Sequence, residues 1–135
     1  MDKYGVIGAG SFGTAVANLL AQNGKVLLYA RNPQVVRKIN EDKENRKQTV
    51  HENVLAVNSP QEATDGIQNI FIAIPSENFK SMMLELSDSL SPEHILIHCT
   101  KGLHVDRPIS PDMNLDRTEV KTMSELIVEN SVVLR

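Results

Sequence analysis

At 135 residues and a formal net charge of −3, the chain has the length of a single domain that can bury a core, and it lacks a global basic field that would draw it to nucleic acid or a membrane surface. Hydrophobic residues make up 41% and charged residues 23%, the ordinary balance of a soluble globular protein. No apolar run reaches the roughly 18 residues of a membrane span, the amino terminus carries no secretory pattern, and the single Cys99 cannot close an internal disulfide, which together read as a cytoplasmic protein.

In chain order, "YGVIG" is a short apolar run ending in glycine, and from Phe12 onward Ala15, Val16, Leu19 and Leu20 fall at helical spacing, with Gly24 placed to end that helix. "KVLLYA" at 25–30 reads as a second strand. Asn32-Pro33 then offers an N-cap and a first-turn proline to a helix running through Val35, Val36 and Ile39. That helix is expected to fray in "EDKENRKQ", whose mixed charges read as a solvated helix end or loop. "ENVLAVNS" is a weak third strand, and "SPQEATDG" a short capped helix.

"QNIFIAIPS" at 68–76 is the clearest buried strand of the chain. Ser76 is placed to cap a helix whose Phe79, Met82, Met83 and Leu86 stand at i, i+3, i+4 and i+7, the spacing of a core-facing stripe. "HILIHCTKG" at 94–102 reads as a further buried strand, and "HVDRPISPDMNLDRTE" as a loop. A last helix around Lys121–Glu129 leads to "SVVLR", which resembles the opening of a strand. Strand and helix alternate at least four times, so the expected fold is α/β: an open, doubly wound, mostly parallel sheet with helices on both faces.

Gly8, Gly10 and Gly13 spell G-x-G-x-x-G at the junction of the first strand and helix, the context in which that pattern carries meaning. Gly8 allows the tight turn, Gly10 lets backbone approach a pyrophosphate, and Gly13 lets the helix pack closely on the strand. Free N–H groups of the helix's first turn then face the anion, and the helix dipole favours its charge. A domain that prefers NAD usually carries Asp or Glu at the end of the second strand to bond the ribose 2′-hydroxyl. This chain has Tyr29-Ala30-Arg31-Asn32 there. Arg31 can pair with a 2′-phosphate and stack on adenine, which favours NADP and leaves NAD open.

"VIGAGSFGTAVANLLAQNG", "LLYAR", "IFIAIPSENF" and "CTKGL" occur in an order and spacing that resemble the NAD(P)-dependent glycerol-3-phosphate dehydrogenases, well over residues 4 to 104 and loosely through "MSELIVENSVVL". The resemblance implies an amino-terminal dinucleotide-binding domain of the Rossmann type. It further implies interconversion of dihydroxyacetone phosphate and sn-glycerol 3-phosphate with NAD(P)H, usually to supply phospholipid synthesis. By the same resemblance, Ser11 and Phe12 match positions on the pyrophosphate side of the cofactor. Arg31 matches the adenosine end, and Pro75, Ser76 and Phe79 match a region near the nicotinamide. Lys101, in "TKG", matches a lysine that touches both cofactor and substrate, and is the catalytic candidate. Its place directly after a strand puts it at the carboxyl edge of the sheet, where an ammonium can hold a phosphate or polarise a carbonyl oxygen.

No metal site is expected: His94, His98 and His104 form no ligand spacing, and His51 has no identifiable partner. Cys99 lacks an evident base and reads as a small core residue. The family continues after "SVVL" into a G-P-S/T turn and a helical domain that supplies a second lysine and most phosphate contacts for the substrate. The expectation is therefore that residues 1–135 are the dinucleotide-binding domain alone, binding NADP(H) but turning over little or no substrate. The sequence is silent on assembly, and the resemblance leaves a homodimer open for the full-length enzyme. Two alternatives stand beside this reading: a non-catalytic NADP-binding or redox-sensing module, and the cofactor domain of another hydroxyacid or ketopantoate-type reductase.

Overall fold

The protein is described here by a computed structural model covering residues 2–99, 103–105 and 120–130. The first half runs β1 (Asp2–Ile7), α1 (Ser11–Ala21), β2 (Gly24–Tyr29), α2 (Pro33–Asp42), β3 (Glu44–Asn45), β4 (Gln48–Thr49) and β5 (Val54–Val57). The second runs α3 (Pro60–Thr64), β6 (Asn69–Ile72), α4 (Phe79–Leu86), β7 (Ile95–His98), β8 (Leu103–Val105), β9 (Val120–Thr122) and α5 (Met123–Asn130).

Five strands form one sheet in the order β5-β2-β1-β6-β7, and every pairing in it is parallel. Val6 at the centre sits opposite Leu28 on one side and Phe71 on the other. The chain winds outward from β1 through β2 to β5, then crosses back to β6 and out to β7. That reversal leaves a crevice beyond the carboxyl ends of β1 and β6, where open α/β sheets bind ligands.

Period-two alternation along the strands feeds two separate cores. On one face Ile7, Tyr29, Ile70 and Ile72 pack against Phe79, Met82, Met83 and Leu86 of α4 and against Met123, Leu126 and Ile127 of α5. On the other, Val6, Val26, Leu28 and Ala56 pack against Ala17 and Ala21 of α1 and Ile39 of α2. The inner face of α1 is made of small residues: Gly13, Ala17 and Ala21, four apart, are buried together with Thr14. This corrects the expected stripe, since Leu19 is exposed and Val16 and Leu20 only border the core. The helix lies close to the sheet because its inward residues are small, not because its large ones point inward.

Other local readings shift for equally simple reasons. Asn32 caps α2 as expected, its side chain accepting from the Gln34 N–H at 2.9 Å, with Pro33 in the first turn. Gly24 opens β2 and does not end α1, whose C-cap is Gln22. "EDKENRKQ" does more than fray: after Lys43 in the left-handed region, the chain forms the antiparallel hairpin β3–β4. Ser76 starts a 3₁₀ turn instead of capping α4, which begins after Asn78. β7, the outermost strand of the sheet on that side among the described residues, is half exposed, with Ile95 and Ile97 facing out where the sequence reads as buried. Of the expected loop from His104 onward, His104 and Val105 belong to β8, which pairs antiparallel with β9; residues 106–119 and "SVVLR" lie outside the described residues. Among the described residues no helix is long and apolar enough to cross a membrane.

Candidate functional site

A cleft of about 800 Å³ occupies the crevice, within the range of cofactor sites. Its walls come from the loop after β1 (Gly8 to Gly13), the end of β2 (Tyr29 to Asn32), the loop after β6 (Ala73 to Asn78), and four outlying residues, Val35, Arg46, Met82 and Cys99.

The three glycines do different work. Gly8 turns the chain with φ +112°, a region closed to most side chains, and a Cβ there would strike the Ala73 carbonyl oxygen. A Cβ on Gly13 would run into the carbonyl oxygen of Gly8, so α1 can lie this close to the loop only without one. Gly10 is the contrast: its backbone is extended (φ −76°, ψ −172°), and a Cβ would meet no protein atom within 4 Å. The fold does not require glycine at that position, and the space over its backbone is open. Gly10 also stands at the N-cap of α1, where no side chain caps the helix and no acidic residue occupies the first turn. The orphan N–H groups and the positive end of the helix dipole are thus left to an anion.

The hairpin β3–β4 folds over this loop. Asn45 Nδ2 donates to the Ala9 carbonyl and to Thr14 Oγ1, both at 2.8 Å, while Thr14 Oγ1 donates to the Gly10 carbonyl at 2.7 Å. Gln48 adds a bond to the Ser11 carbonyl at 2.8 Å. The hairpin turns through Arg46 (φ 48°) and Lys47 (φ 65°), both in the left-handed region, and this places Arg46 on the cleft wall. Sequence reasoning missed Arg46. A two-residue turn with both residues at positive φ is usually signalled by Asn-Gly, and here its positions carry Arg-Lys.

At the end of β2, Arg31 lines the cleft and its Nη2 donates to Glu85 Oε2 at 2.7 Å. The other carboxylate oxygen, Oε1, accepts from Tyr29 Oη at 2.6 Å. The Tyr29 hydrogen bond, and after it the Arg31 guanidinium, hold Glu85 below the usual carboxylate range. Burial, then Glu85, pushes the Tyr29 phenol up, so it stays a donor, and the Glu85 bond raises Arg31 further. Asn58 Nδ2 fixes the backbone here, donating to the carbonyls of Ala30 and Arg31 at 2.9 Å each.

Of the residues singled out in the sequence, Gly8, Gly10, Ser11, Phe12, Gly13, Arg31, Pro75 and Ser76 all reach the cleft. Phe12 is 58% exposed. Phe79 does not reach it: the ring is fully buried in the α4 core stripe and meets His98 edge-on, centroids 6.0 Å apart. Met82, one turn further along α4, reaches the wall instead. Lys101 lies outside the described residues. Cys99 is half-buried on the cleft wall, not in the core. His51 does have a local partner, its Nδ1 accepting from the Asn53 N–H at 3.0 Å. Among the described residues no group of three or more His, Cys, Asp or Glu could hold a metal ion.

Residues 3–132 match the family described as NAD-dependent glycerol-3-phosphate dehydrogenase N-terminus. A glycerol-3-phosphate dehydrogenase (NAD(P)+) of Alcanivorax borkumensis is 38% identical over 106 residues, covering 75% of this chain and 31% of that protein. One from Limosilactobacillus fermentum is 31% identical over 137 residues, covering 96% of this chain and 37% of its own length. The chain thus spans about a third of the curated relatives it matches. The crystal structure of glycerol-3-phosphate dehydrogenase from Coxiella burnetii shares the fold, with a TM-score of 0.75 at 20% identity over 97% of this chain and 38% of that one. Doubly wound sheet, glycine loop and sequence match agree, and the chain belongs to the family of NAD-dependent glycerol-3-phosphate dehydrogenase amino-terminal domains.

Proposed function

We propose that this chain is the dinucleotide-binding domain of a glycerol-3-phosphate dehydrogenase and binds NADP(H) or NAD(H) across the crevice. The observation that carries the reading is Gly10: a glycine that the fold does not need, facing open space at an uncapped helix start. Gly10 with the N–H groups of Ser11 and Phe12 holds the pyrophosphate, Gly8 and Gly13 give the cofactor loop its shape, and Arg46 adds a cation from the hairpin. Arg31 serves the adenosine end, and Pro75 and Ser76 the nicotinamide end. When bound, the reduced nicotinamide would supply hydride to dihydroxyacetone phosphate, and the oxidised form would accept it from sn-glycerol 3-phosphate, a reaction we assign to phospholipid synthesis in the cytoplasm.

Lys101 is proposed to steady the substrate oxygen as charge develops on it. A ketone reduction also needs a proton donor and a site closed to water. In the family these come from the helical domain that follows, so residues 1–135 are proposed to bind cofactor and turn over little substrate on their own.

Calorimetric titration of the chain with NADH and NADPH tests the binding, with Gly10→Ala as the discriminating variant. Binding of either dinucleotide, weakened at least roughly tenfold in Gly10→Ala, supports the reading, since a methyl group there blocks backbone approach. No binding, or equal binding by the variant, overturns it. A rate with dihydroxyacetone phosphate comparable to that of a full-length enzyme overturns the proposed inactivity.

A further inference from the structure

The end of β2 has no acidic residue in sequence, yet an acid stands there in space. Glu85, near the carboxyl end of α4, spans the two residues that finish the strand, one oxygen on Tyr29 and the other on Arg31. Arg31 is 54 residues away in the chain, so no inspection of the β2 end alone would find this partner. We propose that Glu85 is a specificity-determining residue of the cleft: by neutralising Arg31 it holds back the NADP preference that a free guanidinium would confer and keeps the site open to NAD.

This inference rests on the dinucleotide-binding reading above and concerns only which dinucleotide is taken. Three observations support it. The Arg31 side chain is 63% exposed and lines the cleft, so a 2′-phosphate can reach it, but it is already engaged at 2.7 Å. Glu85 is itself anchored from the core side by the buried Tyr29, which keeps the carboxylate ionised and in place. Asn58 ties down the Ala30 and Arg31 carbonyls, so the loop cannot carry Arg31 away as a unit. A 2′-phosphate must therefore share the guanidinium with a carboxylate of like charge or displace it. A ribose 2′-hydroxyl carries no charge and meets no such cost.

The test is calorimetric titration of the full chain with NADPH and NADH, comparing wild type, Glu85→Gln and Glu85→Lys at low and high salt. Gln keeps the shape and one acceptor oxygen without the charge, and Lys reverses the charge. The expected result is an NADPH-over-NADH affinity ratio that rises roughly fivefold in Glu85→Gln, further in Glu85→Lys, and less at high salt. An unchanged ratio in both variants overturns the proposal. So does an equal loss of both dinucleotides, which would mark Glu85 as a structural brace only. Failure of every protein, wild type included, to bind either dinucleotide overturns the binding reading itself, a result distinct from binding with an unchanged ratio.

Discussion

Asn45 and Thr14, both buried and 31 residues apart, are joined by a 2.8 Å hydrogen bond that ties the β3–β4 hairpin to the glycine loop. Thr14 in turn donates a hydrogen bond to the Gly10 carbonyl, so one chain of hydrogen bonds sets the hairpin, the helix start and the loop together. Asn45→Ala strands the Ala9 carbonyl and leaves Thr14 without its donor. A stability loss of about 1–3 kcal/mol is expected. Thermal melting checks it, and a dinucleotide titration should show weaker binding as Arg46 loses its support. A wild-type melting point would contradict the role given to these hydrogen bonds.

Gly13→Ala and Gly10→Ala should separate folding from binding. The first drives a methyl group into the Gly8 carbonyl and should destabilise the chain by at least about 2 kcal/mol, through overpacking. The second meets no protein atom and should leave the melting point within about 1 kcal/mol of wild type while impairing dinucleotide binding. Equal destabilisation by both would remove the distinction.

The two cleft arginines should also part company. Arg46→Ala is expected to weaken NADH and NADPH alike, roughly fivefold, and to flatten the salt dependence of both, since both carry the pyrophosphate. Arg31→Ala should weaken NADPH by a comparable factor and leave NADH within about twofold, because only the 2′-phosphate needs the guanidinium. Equal NADPH binding by Arg31→Ala and wild type would end the assignment of Arg31.

How far these features can be read from sequence differs along the chain. The strands β1, β2 and β6 and the α4 stripe are legible because large apolar residues mark them at the right period. The inner face of α1 is not: Gly13, Ala17 and Ala21 pack by being small, and hydropathy looks past them to Leu19. The glycine loop is legible as a motif, but which glycine serves the fold and which serves a ligand emerges only in three dimensions. Arg46 is hidden by an Arg-Lys turn without the usual glycine, and Glu85 by its distance from β2 in the chain. Phe79 is legible from its spacing alone, which puts it on the core-facing stripe where its ring is fully buried.

The Arg31–Glu85 pair should leave a pH-dependent mark on stability. Glu85 titrates below the usual carboxylate range in the folded chain, first through the Tyr29 bond and then through Arg31. A carboxylate with a lowered folded pKa contributes stability that is complete above its unfolded value and lost as pH falls through the folded one. Wild type should therefore exceed Glu85→Gln at neutral pH, and the gap should close on acidification below the ordinary carboxylate range. Because Arg31 and Glu85 are 63% and 36% exposed, the gap should stay under about 1 kcal/mol and shrink with salt. Denaturant titrations at several pH values check it, and a gap that widens toward acid would refute the sign.

The small-residue stripe of α1 reaches beyond packing. Gly13, Ala17 and Ala21 fix how far the helix axis stands from the sheet, and the same rigid rod carries the N–H groups of Ser11 and Phe12 at its tip. The distance from sheet to anion seat is therefore a core dimension. A bulkier residue at Ala17 would tilt the rod like a shim under one end of a beam, moving the seat without changing a single residue of the loop.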